Sequence, residues 1–448
     1  MNIDDLKNDP SVYLLPPGGS GQWPCEANDP AKYGIKTIVV QPGDYTGYND
    51  TNANSEGDNH IFQPRSGGKA GEPVRLVYWN GVDPFDIENI PHPFDQSGFA
   101  HFHRIRLWND GNILAADHFH VIGIKIDSQG IVRSATNSGF LRCYNDQAIH
   151  DPFTIRFGCT EAFVEECLIR RDSWAKNDDV VGVQVEKASA AKPNLNCRLH
   201  SNVIINYTDG WQATASGESG ENPGLSVKFN YCLSLLPPNP DGSAVEGLEQ
   251  VGGGDFKTGG TPENPVVVEG NFFANNRPNC RTPGYAHNLH KYARHIRYRN
   301  NIHANSNAGI FLVAQYVVFK EPQSGWVDPD ITFEGDIFTG IQTTGGNTIK
   351  PEFAGCVIAG PNGVSMTDVT LIACEKFANQ VVDTQAARSF TNVKVVEDGI
   401  TFDPGAQSVS DYSIEIEQVV DQIIQIPYTN DSVTIRNLAS NINNTDDG

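Results

Sequence analysis

Basic residues are scarce. Lys and Arg number 32 against 54 Asp and Glu, giving a formal charge of −22 over 448 residues. A chain of that balance cannot neutralise a phosphate backbone over a broad face, which excludes general nucleic-acid binding. It can accept a polyanion only through a local basic groove or a bound cation. Charged residues of both signs make up 19%, below the ordinary figure of about 25%. Only two Met are present, and Gly, Asn, Val, Ile and Thr take the place of strong helix formers, so strands and tight turns are expected. No apolar run reaches the length of about 18 residues that a membrane span needs. The opening MNIDDLKNDP lacks the pattern of a signal peptide. None of the nine cysteines forms a CxxC pair, so a zinc ribbon or thioredoxin-like site has no support. Nine is also too few for a disulfide scaffold, and the odd count leaves at least one thiol. Cys167, Cys197 and Cys232 fall in apolar strand-like segments and read as buried small hydrophobes.

What is present is a repeat. The segments starting at Val164, Leu199, Val227, Val267, Ile296 and Ile331 share one pattern. Each has a short alternating strand, a polar residue, a second apolar pair, and then Asn, Asp or Gly. Aligned on Glu166, Asn202, Asn230, Asn271, Asn301 and Asp336, the steps are 36, 28, 41, 30 and 35 residues. Val121 begins an earlier copy and Val369 a later one. Irregular steps of this size, with strands and no helical period, point to an all-β, single-domain right-handed parallel β-helix with loop insertions. The leucines of leucine-rich repeats and the signature dipeptide of WD40 blades are missing. The recurrent Asn would stack on successive coils and bond through its amide along the ladder. The expected organisation is a cap at 1–34, the coil with its groove at 35–400, and C-terminal strands with a polar tail at 401–448.

In such a coil, residues one turn apart in sequence lie about 4.8 Å apart in space, so chemistry must be sought by register. The most unusual stretch is GLEQVGGGDFKTGG, residues 247–260, with Lys257 among glycines beside Asp255. Glycines permit close approach of a ligand or an irregular strand end. Lys257 held there could serve as a base, or be a solvated loop lysine. One coil earlier lies Asp209, before Gly210 and Trp211. A coil before that lie Asp178 and Asp179. Carboxylates on adjacent coils could bind Ca²⁺, which prefers several hard oxygens, or could simply form turns. One coil later, residues 281–301 hold His287, His290, Lys291, Arg294, His295, Arg297 and Arg299, the main basic cluster. Alternation would put Arg294, Ile296 and Tyr298 on one face and His295, Arg297 and Arg299 on the other. The cluster reads as a polyanion-binding wall or as a solvated face.

TDGWQATASGESGENPGLSVKFNYCLS followed by GGGDFKTGG resembles the family-nine pectate lyases and their relatives among polysaccharide lyases. The segments TIVVQPGDY and EPVRLVYWNG also look like the first coils of pectate-lyase-like β-helices. The motif likeness covers about 175–310. It implies that Lys257 takes the proton alpha to a uronate carboxylate. It also implies that Asp209, with Asp178 or Asp179, holds Ca²⁺; Asp255, where the family has Gly, is a candidate added ligand. Thr208 and Gln212 stand where the family has Asp, so its cation site is only partly present.

The resulting expectation is a secreted or extracellular polysaccharide lyase, any signal peptide having been removed. It would cleave a uronic-acid polymer by β-elimination. Lys257 is the base and Arg294 the catalytic cation. Lys291, His290, His287, Trp211 and Tyr285 are expected to bind substrate. The implied cofactor is Ca²⁺. The partner is an anionic polysaccharide, with no nucleic acid and no membrane, and the chain is expected to be a monomer. Two rivals stay open. One is a β-helix glycoside hydrolase with paired Asp. The other is a non-catalytic carbohydrate-binding or phage-tail-like β-helix.

Overall fold

Short apolar-alternating segments become strands whose alternate residues point into a shared interior. In Ile296–Arg299, Ile296 and Tyr298 are fully buried, Arg297 is half-buried and Arg299 is exposed. The Tyr298 ring stacks on Phe333 of the next rung at 4.3 Å and 12°. Burying such a side chain is worth roughly 1.5–3 kcal/mol. Repeated rung after rung, this period-two pattern gives an all-β, right-handed parallel β-helix with loop insertions. The coordinates are a computed structural model. They describe residues 3–49, 60–79, 81, 83–90, 92, 99–146, 151–172, 180–187, 192–207, 209–215, 221–235, 251–275, 285–289, 293–306, 308–312, 330–341, 355–359, 364–374, 378–380, 389–396, 412–415 and 418–438. Among these, no helix is long and apolar enough to cross a membrane.

The chain divides into two compact units, residues 1–171 with 183–203 and residues 172–182 with 204–448. In the first unit, one parallel sheet runs through Val12–Leu15, Thr37–Val40, Val74–Tyr78, Phe119–Ile122, Gly139–Leu141, Phe163–Glu165 and Arg198–His200. Parallel pairing therefore begins within residues 1–34, at Val12. Cys167 and Cys197 are buried, and burial pushes both thiols well up.

In the second unit, three parallel ladders share each turn of the coil. The first passes through Ser226–Lys228, Val266–Glu269, Ile296–Arg299, Ile331–Glu334, Val364–Thr367 and Ser389–Thr391. The second runs from Tyr231–Ser234 to Tyr412–Glu415, so parallel pairing continues past residue 400. The third joins Asp209–Ala215, Val251–Phe256, Tyr285–Leu289, Ala308–Leu312, Gly355–Ala359 and Ala378–Gln380. An antiparallel hairpin, Val419–Gln425 with Ser432–Leu438, follows. It lies across successive rungs, bonding Asn305 through the Thr434 carbonyl and packing Leu438 on Ile372, Ala373 and Val396.

The corner between the first and second ladders explains the recurrent Asn. Its first residue has positive φ, as at Phe229, Gly270, Asn300 and Gly335, and donates its N–H to the carbonyl of the next rung. The residue after it is the Asn. The Asn230 and Asn271 amides each donate to the Oδ1 of the following Asn at 2.9 Å, and Asn301 donates to Asp336 Oδ1 at 3.1 Å. The same Oδ1 atoms accept backbone N–H groups at 2.7–3.0 Å. The expected ladder is present, all four members being buried. In the first unit, the Cys167 N–H donates to Asn202 Oδ1 at 3.0 Å. The ladder position there is thus Cys167, not Glu166. Glu166 is the positive-φ residue preceding it.

Candidate active site

The third ladder of the second unit carries the sequence-derived candidates. Trp211 pairs with Gly254, Gln212 with Asp255, and Ala213 with Phe256. Trp211, Ala213 and Phe256 are fully buried. The Trp211 and Phe256 rings meet edge to face at 4.4 Å and 78°. A Cβ on Gly254 would lie 2.1 Å from the indole, so the glycine makes room for Trp211. This corrects one expectation: Trp211 is part of the core and offers no face to a substrate.

Asp209 begins the strand and is 1% exposed. Its Oδ2 accepts from the Gln212 amide at 3.3 Å. Asp209 and Trp211, two residues apart, share the buried face, and the partner strand takes up one extra residue between Val251 and Gly254.

Lys257 follows directly on Val251–Phe256 and is half-buried. Its N–H donates to the Ala213 carbonyl at 2.9 Å, which fixes the backbone at the strand end. The next residue, Thr258, is 1% exposed and accepts the Asn222 amide at 2.8 Å. Gly259 forms a parallel bridge with Glu221. A Cβ on Gly259 would lie 1.7 Å from the Arg294 carbonyl oxygen, and Gly260 donates its N–H to that oxygen at 2.9 Å. Gly259 thus serves the close passage of the neighbouring coil, while a Cβ on Gly260 would strike the turn at Asn264–Val266.

The basic cluster is largely neutralised by acids on adjacent coils. Arg294 Nη2 lies 2.6 Å from Glu221 Oε1. Arg297 Nη2 and His295 Nδ1 both reach Asp330 Oδ2, at 2.6 and 2.9 Å. Burial alone would raise the Asp330 carboxyl, but these two hydrogen bonds outweigh it and hold it below its usual value. Arg299 faces Glu334 at 3.6 Å. The described arginines of this segment therefore do not form an unpaired cationic wall. Arg294 is also not on the face of Ile296 and Tyr298, because positive φ at His295 resets the alternation just before the strand.

Of the remaining candidates, Asp178, Asp179, His290, Lys291 and Thr208 lie outside the described residues. Asp255, Tyr285 and His287 have described backbones only. Asp255 shares its register column with Gln212 and Asn288, His287 with Gly254, and Tyr285 with Ala308. Among the described residues, no three His, Cys, Asp or Glu come together as metal ligands. Asp209 already holds an amide donor, and Gln212 adds no charge, so the described donors do not make a Ca²⁺ ligand set. Sequence reasoning missed Glu221, Asn222 and Thr258. The glycine pair marked the place, but no local signal marks Glu221 as the partner of Arg294.

No protein-family model and no curated protein matches the sequence. Among solved structures, the chain is similar to a rhamnogalacturonan lyase at 14% identity and TM-score 0.42, over 73% of this chain and 82% of that one. It is similar to the catalytic domain of a GH87 α-1,3-glucanase at 11% and 0.43, over 91% and 68%. It is similar to an alginate lyase from Paenibacillus sp. str. FPU-7 at 11% and 0.36, over 90% and 98%. These are likenesses of chain trace at low identity and carry no activity across. The resemblance to family-nine pectate lyases rests on the motif residues alone.

Proposed function

We propose that this protein is a carbohydrate-active β-helix and, more finely, a polysaccharide lyase for a uronic-acid polymer, acting outside the cell. The observation that carries this reading is the placement of Lys257. It is half-buried at a strand end whose backbone is tied to Ala213, Asn222 and Arg294 through Lys257 itself, Gly259 and Gly260. A base held that firmly can be aimed at one carbon of a bound sugar.

In this reading, neutral Lys257 takes the C5 proton. The C–H electron pair becomes the C4–C5 double bond, and the C4–O bond breaks with its pair on the leaving oxygen. That oxygen then takes a proton from solvent. Arg294 acts as a positioning residue. Its guanidinium is engaged by Glu221, and its carbonyl anchors Gly260. No step is assigned to Ca²⁺.

The test is incubation with a panel of uronate polymers, followed by ultraviolet absorbance of the unsaturated ends and by a reducing-sugar assay. Both signals are expected from a lyase. Reducing ends without the chromophore would establish a hydrolase, and neither signal with retained binding would establish a non-catalytic binder.

A further inference from the structure

A cavity of about 560 Å³ lies in the first unit, in the size range of small-molecule sites. Its walls include Trp108, Asn109, Asp110, Leu114, Arg133 and Lys192. Trp108 and Arg133 are register partners on adjacent rungs, so their side chains leave the same face one strand apart. The Arg133 guanidinium sits 4.7 Å from the Trp108 ring and 4.7 Å from the Phe157 ring. Held between two aromatic surfaces, it gives up little side-chain freedom on binding a ligand. The loop after Trp108 closes one side.

The charges in this cavity do not cancel. Asp110 Oδ1 is spent inside the loop, accepting the N–H groups of Asn112, Ile113 and Leu114 at 2.8, 3.0 and 3.0 Å. Among the described residues, Arg133 and Lys192 have no ion-pair partner. The buried Trp108 Nε1–H has no acceptor there either. Two cations against the one Asp110 carboxylate leave this concave wall net positive in a chain carrying −22. Arg294, Arg297 and Arg299, by contrast, each face a carboxylate.

We propose that this cavity binds the carboxylate of an acidic sugar residue, giving the protein a second contact with its polymer, built from other residues than the Lys257 segment. The guanidinium of Arg133 would meet the carboxylate, and Lys192 would add charge at the rim. The inference rests on the acidic-polymer reading of the function.

The test is calorimetric titration of Lys257→Ala, which does not consume its ligand, with short uronate oligosaccharides and with the same oligosaccharides after carboxyl reduction. Binding is expected for the acidic forms only. Adding Arg133→Gln should raise Kd about tenfold or more. The exposed Lys192→Glu, which leaves the packing alone, should do the same and should make the remaining binding less sensitive to added salt, because one cation–anion contact is gone. Unchanged affinity in Lys192→Glu and Arg133→Gln would overturn the proposal, as would equal binding of the reduced oligosaccharides. Lyase activity without this Arg133-dependent binding would overturn the inference and leave the function standing. Arg133-dependent binding without lyase activity would do the reverse.

Discussion

Arg294 reaches over Gly259 to Glu221, closing a 2.6 Å ion pair between residues 73 apart in sequence. Gly259 makes this possible. It is bridged to Glu221 on one side and lies against the Arg294 backbone on the other. Gly259→Ala should therefore push the two coils apart and cost more than about 2 kcal/mol of stability. Glu221→Gln should cost only about 1 kcal/mol, because both side chains are near a third exposed and solvent screens the pair. Denaturant midpoints of the two variants check the order. An alanine tolerated at Gly259 would contradict the close approach.

Lys257→Ala should lower kcat on a responsive uronate polymer by about 10²–10⁴ and leave the unfolding midpoint nearly unchanged. A base must be unprotonated to act, so kcat/KM of the native protein should rise with pH over the range where lysine loses its proton. Activity near the native level in the variant would remove Lys257 from the mechanism.

Asn271 links three turns of the coil. Its amide reaches the Val227 carbonyl and Asn301 Oδ1, and its own Oδ1 accepts from Asn230. Asn271→Leu would leave the buried Asn230 N–H without its side-chain acceptor. The expected cost is about 3 kcal/mol, read as a lower denaturant midpoint with an unchanged slope.

Burial pushes the His120 imidazole down to about 4, against the opposing hydrogen bond to the Asn137 carbonyl. The folded state keeps this ring neutral while the unfolded chain protonates it near 6.5. The unfolded state then binds more protons, so stability falls as pH drops from about 6.5 to 4. The loss is up to about 3 kcal/mol. His120→Gln keeps an amide donor for Asn137 and should flatten that part of the stability profile. Parallel profiles for the two proteins would show that the ring titrates normally.

Removal of divalent cations by chelator and dialysis should leave activity unchanged, because among the described residues no other carboxylate joins Asp209, whose Oδ2 accepts the Gln212 amide. Complete loss, recovered by Ca²⁺ titration, would show that residues around Asp209 still assemble a full site.

The coil was legible because its rules are local. Period-two alternation predicted the buried Ile296 and Tyr298, and apolar surroundings predicted the buried Cys167, Cys197 and Cys232. The polar corner residue recurs because every turn needs the same backbone bonds met, so the Asn230–Asn271–Asn301–Asp336 ladder could be read by aligning copies. Other features depend on neighbours that sequence spacing does not identify. The space above Gly254 takes the Trp211 ring into the core, although the motif alone suits a sugar-facing tryptophan. One positive φ at His295 separated Arg294 from the alternation of its own strand. The charge on Arg294 is answered from Glu221, two coils back, and that on Arg297 from Asp330, one coil on. Composition and alternation fix which residues turn inward, because burial acts on each strand separately. Which charges remain available to a ligand is decided only when the coils stack, because a carboxylate 33 or 73 residues away becomes a neighbour through the rung spacing alone.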